Sequence, residues 1–330
     1  LDPRMTTTPL NDIADLIRGA HSALLIAHVS PDGDTLGSAL GLVHVLRKMG
    51  VRARVACADP TPYELRFLPG SSEITAQPWT DEEIILTIDA SDLERIGVLY
   101  QDDVFARVPV GNVDHHATNL MFGRVNYVEQ RASTAELVLE LTAQLDVVLD
   151  ATIASCLLTG VVSDTLGFRT SNTSVETLRA ATQLVEAGAS LKTISDAVFN
   201  HRSLAMLRLW GPVLADARLA DGILWVEVTQ EILQITRADD AASRGLANFL
   251  STFDGAQASA VFRELKDRRI EASLRSAPGV DVSRVALALG GGGHPQAAGC
   301  TVAGDLADVR EQVLGSLRQA IATAKCKVDA

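Results

Sequence analysis

Two short clusters combine carboxylates with imidazoles. The first is His28-Val29-Ser30-Pro31-Asp32-Gly33-Asp34 and the second is Asp114-His115-His116. Groups of these types are costly to gather in a fold without a partner charge. A divalent cation is the simplest partner, because it binds both ligand types at once. Asp32 and Asp34 stand two apart, a spacing that in a turn aims two carboxylates at two adjacent metals. Gly33 between them permits a backbone geometry that a bulkier residue resists. Asp89 ends the apolar run 84–88; taken alone, an aspartate there is ordinary turn chemistry. Asp164 closes a helical stretch, where a carboxylate is unfavourable with the helix dipole, and that oddity favours a functional reason.

These residues need elements to position them. Each cluster follows an apolar run that reads as a buried strand, 24–27 and 108–113. Strand ends are where an open α/β sheet presents its functional groups. Residues 35–49 read as a helix stopped by Gly50, 51–56 and 84–88 as strands, and 133–145 and 151–162 as helices. This rhythm predicts an α/β fold, a mostly parallel sheet with helices on both faces, over residues 1–190. Residues 191–217 read as a helical linker with a joint near Asn200-His201-Arg202. Beyond it, 223–229, 256–265 and 270–275 alternate like strands of a mixed sheet. With a helix at 282–289 and a final amphipathic helix at about 306–324, they predict a smaller α/β domain over 218–330. His21 and His44 are expected on the helices flanking the first strand, and His201 is expected to be structural.

The 330 residues suffice for two cores, and 47% hydrophobic content marks a globular chain. No apolar run is long enough to cross a bilayer, and no signal peptide stands at the start. Leu1-Asp2-Pro3-Arg4 precedes Met5, which reads as the native start. Cys57, Cys156, Cys300 and Cys326 form no C-x-x-C pair, which argues against a zinc ribbon or a disulfide framework and fits a reduced cytoplasm. A net charge of -12 repels long nucleic acid but does not exclude a small phosphate substrate. The expected partners are therefore short RNA and small nucleotides, with no membrane and no long nucleic acid; a homodimer is left open.

His28-x-x-x-Asp32-x-Asp34, then Asp89, then Asp114-His115-His116, then Asp164 resembles the four motifs of the DHH phosphoesterases. Gly290-Gly291-Gly292-Gly293-His294-Pro295-Gln296-Ala297-Ala298-Gly299 resembles the glycine-rich signature of the C-terminal domain found with one branch of that family. The resemblance runs from about Asn11 to Ile321 and is greatest to the bacterial nanoRNase and pAp-phosphatase branch, whose relatives include cyclic di-AMP phosphodiesterases.

The resemblance implies that His28, Asp32 and Asp89 hold one metal, and that Asp34, Asp89, His115 and Asp164 hold a second, with Asp89 bridging. It implies Mn²⁺, two per chain, with Mg²⁺ or Co²⁺ as substitutes. Asp114 would orient an imidazole from outside the ligand set, and His116 would face the substrate phosphate. Two metals roughly 3.5–4 Å apart supply an acidified water and neutralise the phosphoryl oxygens. His116, when protonated, stabilises that charge or protonates the leaving group. In the C-terminal domain, Gly291, Gly292 and Gly293 would let backbone N–H groups approach a phosphate, beside His294. Arg263 stands where the family tends to carry a substrate-contacting arginine, although a solvated strand residue explains it as well. Arg268, Arg269 and Arg275 read equally as a nucleotide-steering patch or a hairpin surface.

The expectation is a metal-dependent phosphoesterase acting on oligoribonucleotides of a few residues, pApA, pAp and cyclic di-AMP, in a cleft between the domains. A manganese pyrophosphatase shares the N-terminal motifs but not the glycine-rich His294 segment. A long-strand DNA exonuclease fits poorly with the short acidic chain. A nucleotide sensor without turnover has no need of an intact ligand set.

Overall fold

The computed structural model describes residues 8–200 and 203–328. The expected start at Met5 and the joint residues His201 and Arg202 lie outside them. In chain order the elements are α1 (Pro9–Arg18), β1 (Ser22–Ala27), α2 (Gly33–Lys48), β2 (Arg52–Cys57), β3 (Ile84–Ile88), α3 (Asp102–Arg107), β4 (Val110–Asp114), β5 (Val125–Val128), α4 (Thr134–Gln144), α5 (Ala151–Asp164), α6 (Val175–Glu186) and α7 (Leu191–Ser195). After the joint come α8 (Leu204–Ala215), β6 (Arg218–Ala220), β7 (Ile223–Val228), α9 (Gln230–Thr236), α10 (Leu246–Leu250), β8 (Ala258–Glu264), β9 (Arg269–Ser276), α11 (Val282–Ala288), β10 (Gly292–His294), β11 (Ala297–Ala303) and α12 (Leu306–Val328). The chain divides into two compact units, residues 1–201 and 202–330.

The first unit is built on five parallel strands in the order β2-β1-β3-β4-β5. Every residue of β1, β3 and β4 is buried, as expected for parallel strands covered on both faces. Register does the positioning. Ala27 lies opposite Ile88, and Ile88 opposite Val113. His28, Asp89 and Asp114 each follow by one residue, so a single row of the sheet brings together positions far apart in sequence. The strand order reverses between β1 and β3, and in such sheets ligands bind outside the strand ends at that reversal.

A seam of small residues clamps α2 against α5. A Cβ at Gly37 would lie 2.4 Å from the Cys156 carbonyl oxygen, and one at Gly41 would lie 2.6 Å from Leu157 Cδ2. Gly160 on α5 is equally tight, since a Cβ there would fall 2.6 Å from Asp34 Oδ1. Backbone contact thus brings the N-terminus of α2, with Asp32 and Asp34, to the C-terminus of α5, with Asp164.

In the second unit a six-stranded mixed sheet runs β10-β11-β9-β8-β7-β6, with β7 and β8 parallel and the other pairs antiparallel. On one face α11 and α12 cover Ala260, Phe262, Ala272 and Leu274. On the other, α8 buries Leu209, Trp210 and Val213 against Leu224, Val226 and Val228 of β7. The stretch expected as a separate linker is therefore divided: α7 belongs to the first unit, and α8 is part of the second unit's core because its apolar face has a sheet to cover. His44 lies on α2, but His21 sits in the turn before β1, where its backbone N–H donates to Glu83 at 2.8 Å. Among the described residues no helix is long and apolar enough to cross a membrane.

The seam yields a prediction. Gly37→Val must separate α2 from α5, and overpacking of this kind costs about 1–3 kcal/mol. Chemical denaturation should show that loss, and metal titration should show weaker binding, because Asp34 and Asp164 move apart with the helices.

Candidate metal centre

His28 and His115 each have one ring nitrogen fixed by the protein and the other facing carboxylates. His28 is 3% exposed. Its Nδ1–H donates to the Val29 carbonyl at 2.7 Å, which leaves Nε2 as the free donor, 3.3 Å from Asp89 Oδ2 and 4.0 Å from Asp32 Oδ2. His115 repeats the device. Its Nδ1–H donates to the Arg131 carbonyl at 3.1 Å, and Nε2 lies 3.3 Å from Asp164 Oδ2 and 3.6 Å from Asp89 Oδ1. Such outer hydrogen bonds fix the tautomer and ring orientation of a metal-binding histidine.

The carboxylates are held the same way. Asp32 is the N-cap of α2, and its Oδ1 accepts from Asp34 N and Thr35 N, both at 3.0 Å. Asp34 is fully buried and caps a different helix. Its Oδ2 accepts from Thr134 N at 2.6 Å and its Oδ1 from Ala135 N at 3.0 Å. Ser133, the N-cap residue of α4, makes no capping bond of its own. Asp89 has a left-handed backbone, φ 60°, which aspartate tolerates better than most residues. Its Oδ2 accepts from the Thr35 hydroxyl at 2.7 Å and its Oδ1 from the Thr134 hydroxyl at 2.9 Å. Asp164 ends α5 as the sequence indicates.

Three overlapping groups of donor atoms result, His28-Asp32-Asp89, Asp34-His115-Asp164 and Asp89-His115-His116, each with its atoms within 4.8 Å of one another. In the third group His116 is drawn elsewhere: its Nδ1–H donates to Asp114 Oδ1 at 2.7 Å. Asp114 also accepts from Asn119 Nδ2 at 2.5 Å. The imidazole that Asp114 orients is thus His116 and not His115.

The electrostatics show what the arrangement lacks. Burial, together with the charges of Asp89 and Asp32, pushes the Asp34 carboxyl well above the ordinary carboxylate range. Burial and then Asp34 do the same to Asp164. Burial also works against the charge on Asp89, but its contacts with His28 and the other imidazoles outweigh it and hold Asp89 low. For His28 and His116, burial disfavours the charged ring, while Asp89 and Asp114 respectively raise the pKa overall. A largely buried set with more carboxylates than cations, no thiolate, and imidazole Nε2 atoms turned toward carboxylates fits hard or borderline divalent ions. Thr35, Thr134, Asn119 and the Arg131 carbonyl complete the setting. Of these only Thr35, one helical turn from Asp32, was within reach of sequence spacing.

The second unit gathers different groups. His294 pairs with Ala297, Ala297 with Arg275, and Arg275 with Ser259, so the four lie in one row across β10, β11, β9 and β8. Cross-strand partners share a face. Arg275 meets no carboxylate among the described residues; its Nε donates to Asn248 Oδ1 at 2.8 Å and its Nη1 to the Leu274 carbonyl at 2.9 Å. The Ser259 hydroxyl is buried without a hydrogen-bond partner. Arg263, by contrast, is held by Glu271 and by Asp240 at 3.3 Å. Arg269 pairs with Asp267, and Arg268 sits in the tight turn before β9. The glycine-rich run is an edge strand, not an open loop. A Cβ at Gly291 would lie 2.1 Å from the Gly299 carbonyl oxygen, and one at Gly293 would lie 2.5 Å from that of Ala297. Those two glycines allow close strand contact, while Gly292 faces open space.

The donor geometry predicts a graded response to substitution. Asp89→Ala should abolish high-affinity divalent-metal binding in calorimetric titration. Thr134→Val should weaken it about ten- to a hundredfold, as loss of an outer partner typically does, and Thr134→Ser should restore it.

Comparison with known proteins agrees with this reading of the two units. Residues 22–161 match the N-terminal domain of the DHH family, and residues 229–323 match the DHHA1 domain. The chain is 34% identical over 318 residues to the bifunctional oligoribonuclease and PAP phosphatase NrnA of Thermus thermophilus, covering 94% of each. It is 27% identical over 311 residues to the cyclic-di-AMP phosphodiesterase GdpP of Geobacillus thermodenitrificans, covering 86% of this chain and 45% of that protein. The crystal structure of an exopolyphosphatase-related protein from Bacteroides fragilis superposes with a TM-score of 0.88 at 26% identity, covering 98% of this chain and 100% of that one. The chain belongs to the DHH family, with a DHHA1 domain behind its catalytic unit, and is a hydrolase of phosphoester bonds.

Proposed function

We propose that this enzyme is a two-metal, manganese-dependent phosphoesterase that hydrolyses short oligoribonucleotides, pApA and pAp to mononucleotides, with cyclic di-AMP as a further substrate. The observation that carries the reading is the convergence of His28, Asp32, Asp34, Asp89, His115 and Asp164, with both imidazoles oriented by backbone carbonyls and Asp34 held by the N-terminus of α4. His28, Asp32 and Asp89 are one ligand set, and Asp34, Asp89, His115 and Asp164 are the other, with Asp89 shared. Bound there, divalent ions supply Lewis acidity to the phosphoryl group and to an attacking water. The names of the relatives from Thermus thermophilus and Geobacillus thermodenitrificans support the substrate classes.

The chain's own groups do the rest. Asp114 holds the His116 proton at Nδ1 and so turns Nε2 toward the substrate. It also favours the charged ring, so that Nε2–H opposes negative charge on the phosphoryl oxygens and passes its proton to the leaving oxygen. In the second unit the row of His294, Arg275 and Ser259 offers donors and no carboxylate, which suits a nucleotide phosphate. Arg275, and not the paired Arg263, is its arginine. The DHHA1 match in this unit disfavours the pyrophosphatase reading. Free, buried Cys57, Cys156 and Cys300 suit a reducing cytoplasm.

The test is a panel of pAp, pApA, cyclic di-AMP, a trinucleotide, a 20-mer and pyrophosphate, with and without chelator. Chelation should abolish turnover and Mn²⁺ should restore it. The acidic chain gives a long strand little attraction, so kcat/KM should fall more than about tenfold from dinucleotide to 20-mer. Equal efficiency on both would favour an exonuclease. His294→Ala should keep its full metal content while losing about ten- to a hundredfold in kcat/KM on pAp, the cost of one contact with a charged phosphate. Loss of a metal would make His294 a ligand instead.

A further inference from the structure

Arg95 lies in the turn after β3, six residues beyond Asp89. Its carbonyl accepts from Val29 N at 2.8 Å, which fixes it beside His28. Its own N–H donates to Asp92 Oδ1 at 3.1 Å. The approach depends on Gly97, with φ 62° and ψ -140°, where a Cβ would lie 2.5 Å from Val29 Cγ1. The backbone of Arg95 is therefore pinned against the first ligand cluster from both sides.

The guanidinium is not pinned. Arg95 is half-buried, yet among the described residues its side chain engages no carboxylate, carbonyl or ring. Other half-buried arginines of this chain do: Arg54 meets Glu82 at 2.6 Å, Arg131 meets Glu140 at 3.2 Å, and Arg310 meets Glu227 at 2.8 Å. The contrast is sharper because Arg95 stands next to the most acidic part of the molecule. The carboxylates there already have partners in hydroxyls, backbone N–H groups and imidazoles. The Val29–Arg95 backbone bond sets this residue beside the strand end that carries His28, where the first group of donor atoms converges. An acceptor for such a group has to come from outside the chain, and a guanidinium fork matches two oxygens of one phosphate.

We propose that Arg95 is a catalytic residue that grips the phosphoryl oxygens of the bound nucleotide. The inference rests on the phosphoesterase reading of the same centre and adds a substrate contact contributed by the first unit itself.

The test uses the full chain in three steps: calorimetry with Mn²⁺ alone, calorimetry of inorganic phosphate onto the Mn²⁺-loaded protein, and kinetics on pApA. Arg95→Gln should bind Mn²⁺ as well as the wild type or better, since a neighbouring positive charge is gone. It should lose about ten- to a hundredfold in phosphate affinity and a similar factor in kcat/KM. Arg95→Lys should recover part of both, because it keeps the charge but not the fork. Phosphate affinity and kcat/KM within twofold of wild type in Arg95→Gln overturn the proposal while leaving the phosphoesterase reading intact. Weaker Mn²⁺ binding with a lowered thermal midpoint also overturns it, making Arg95 a brace for His28. A wild-type chain that binds no Mn²⁺ and does not turn over pApA overturns both readings together.

Discussion

Carboxylates gathered at the end of one sheet repel one another, and burial raises the cost. Asp34 and Asp89 are buried and Asp164 is partly so, and the field they create, together with burial, pushes Asp34 and Asp164 toward the protonated state while the imidazoles keep Asp89 ionised. Much of the surrounding structure answers that repulsion. The N-terminus of α4 is turned onto Asp34, where two backbone N–H groups and the helix dipole favour its charge. Thr35 and Thr134 supply hydroxyls to Asp89, and the first turn of α2 takes Asp32. These donors offset part of the charge and hold the oxygens in place. A cation supplies the remainder, which is why the site reads as a metal centre and not as an acidic patch.

The parallel half of the fold was legible because its signals are strong and local. Apolar runs such as 84–88 have the length of buried strands, and Gly50 marks a helix end by ordinary stop chemistry. β5 was not legible: Val125–Val128 is four residues long, partly exposed, and carries no periodicity to distinguish it from loop. α1 has a threonine cap and a proline in its first turn, yet lies in a stretch where the motifs drew no attention. The glycine-rich segment was legible as a signature but not as a strand, since the close approach of β11 to Gly291 and Gly293 is a matter of pairing and not of local sequence.

The site was legible as a set of residue types and illegible as a set of partners. Spacing showed that His28, Asp32 and Asp34 share a turn. It could not show that Asp34 caps a helix a hundred residues away, or that Asp114 serves His116. Arg263 and Arg275 illustrate the same limit. Both sit on strands of one sheet, and only cross-strand register reveals that Glu271 occupies the first while no carboxylate among the described residues meets the second. Long-range pairing is a property of the sheet, and a single sequence does not display it.

The seam between α2 and α5 bears on which ion the centre accepts. Side chains can yield to a larger cation by changing rotamer, but Gly37 meets the α5 backbone with no side chain between them to compress. The reach from Asp34 on one helix to Asp164 on the other is thus fixed largely by main-chain contact. A rigid frame of this kind discriminates by ionic radius: oxygen ligands sit about 2.0–2.1 Å from Mg²⁺ and about 2.3–2.6 Å from Ca²⁺. The glycines of the seam thus bear on the size of ion the centre can hold, without touching one.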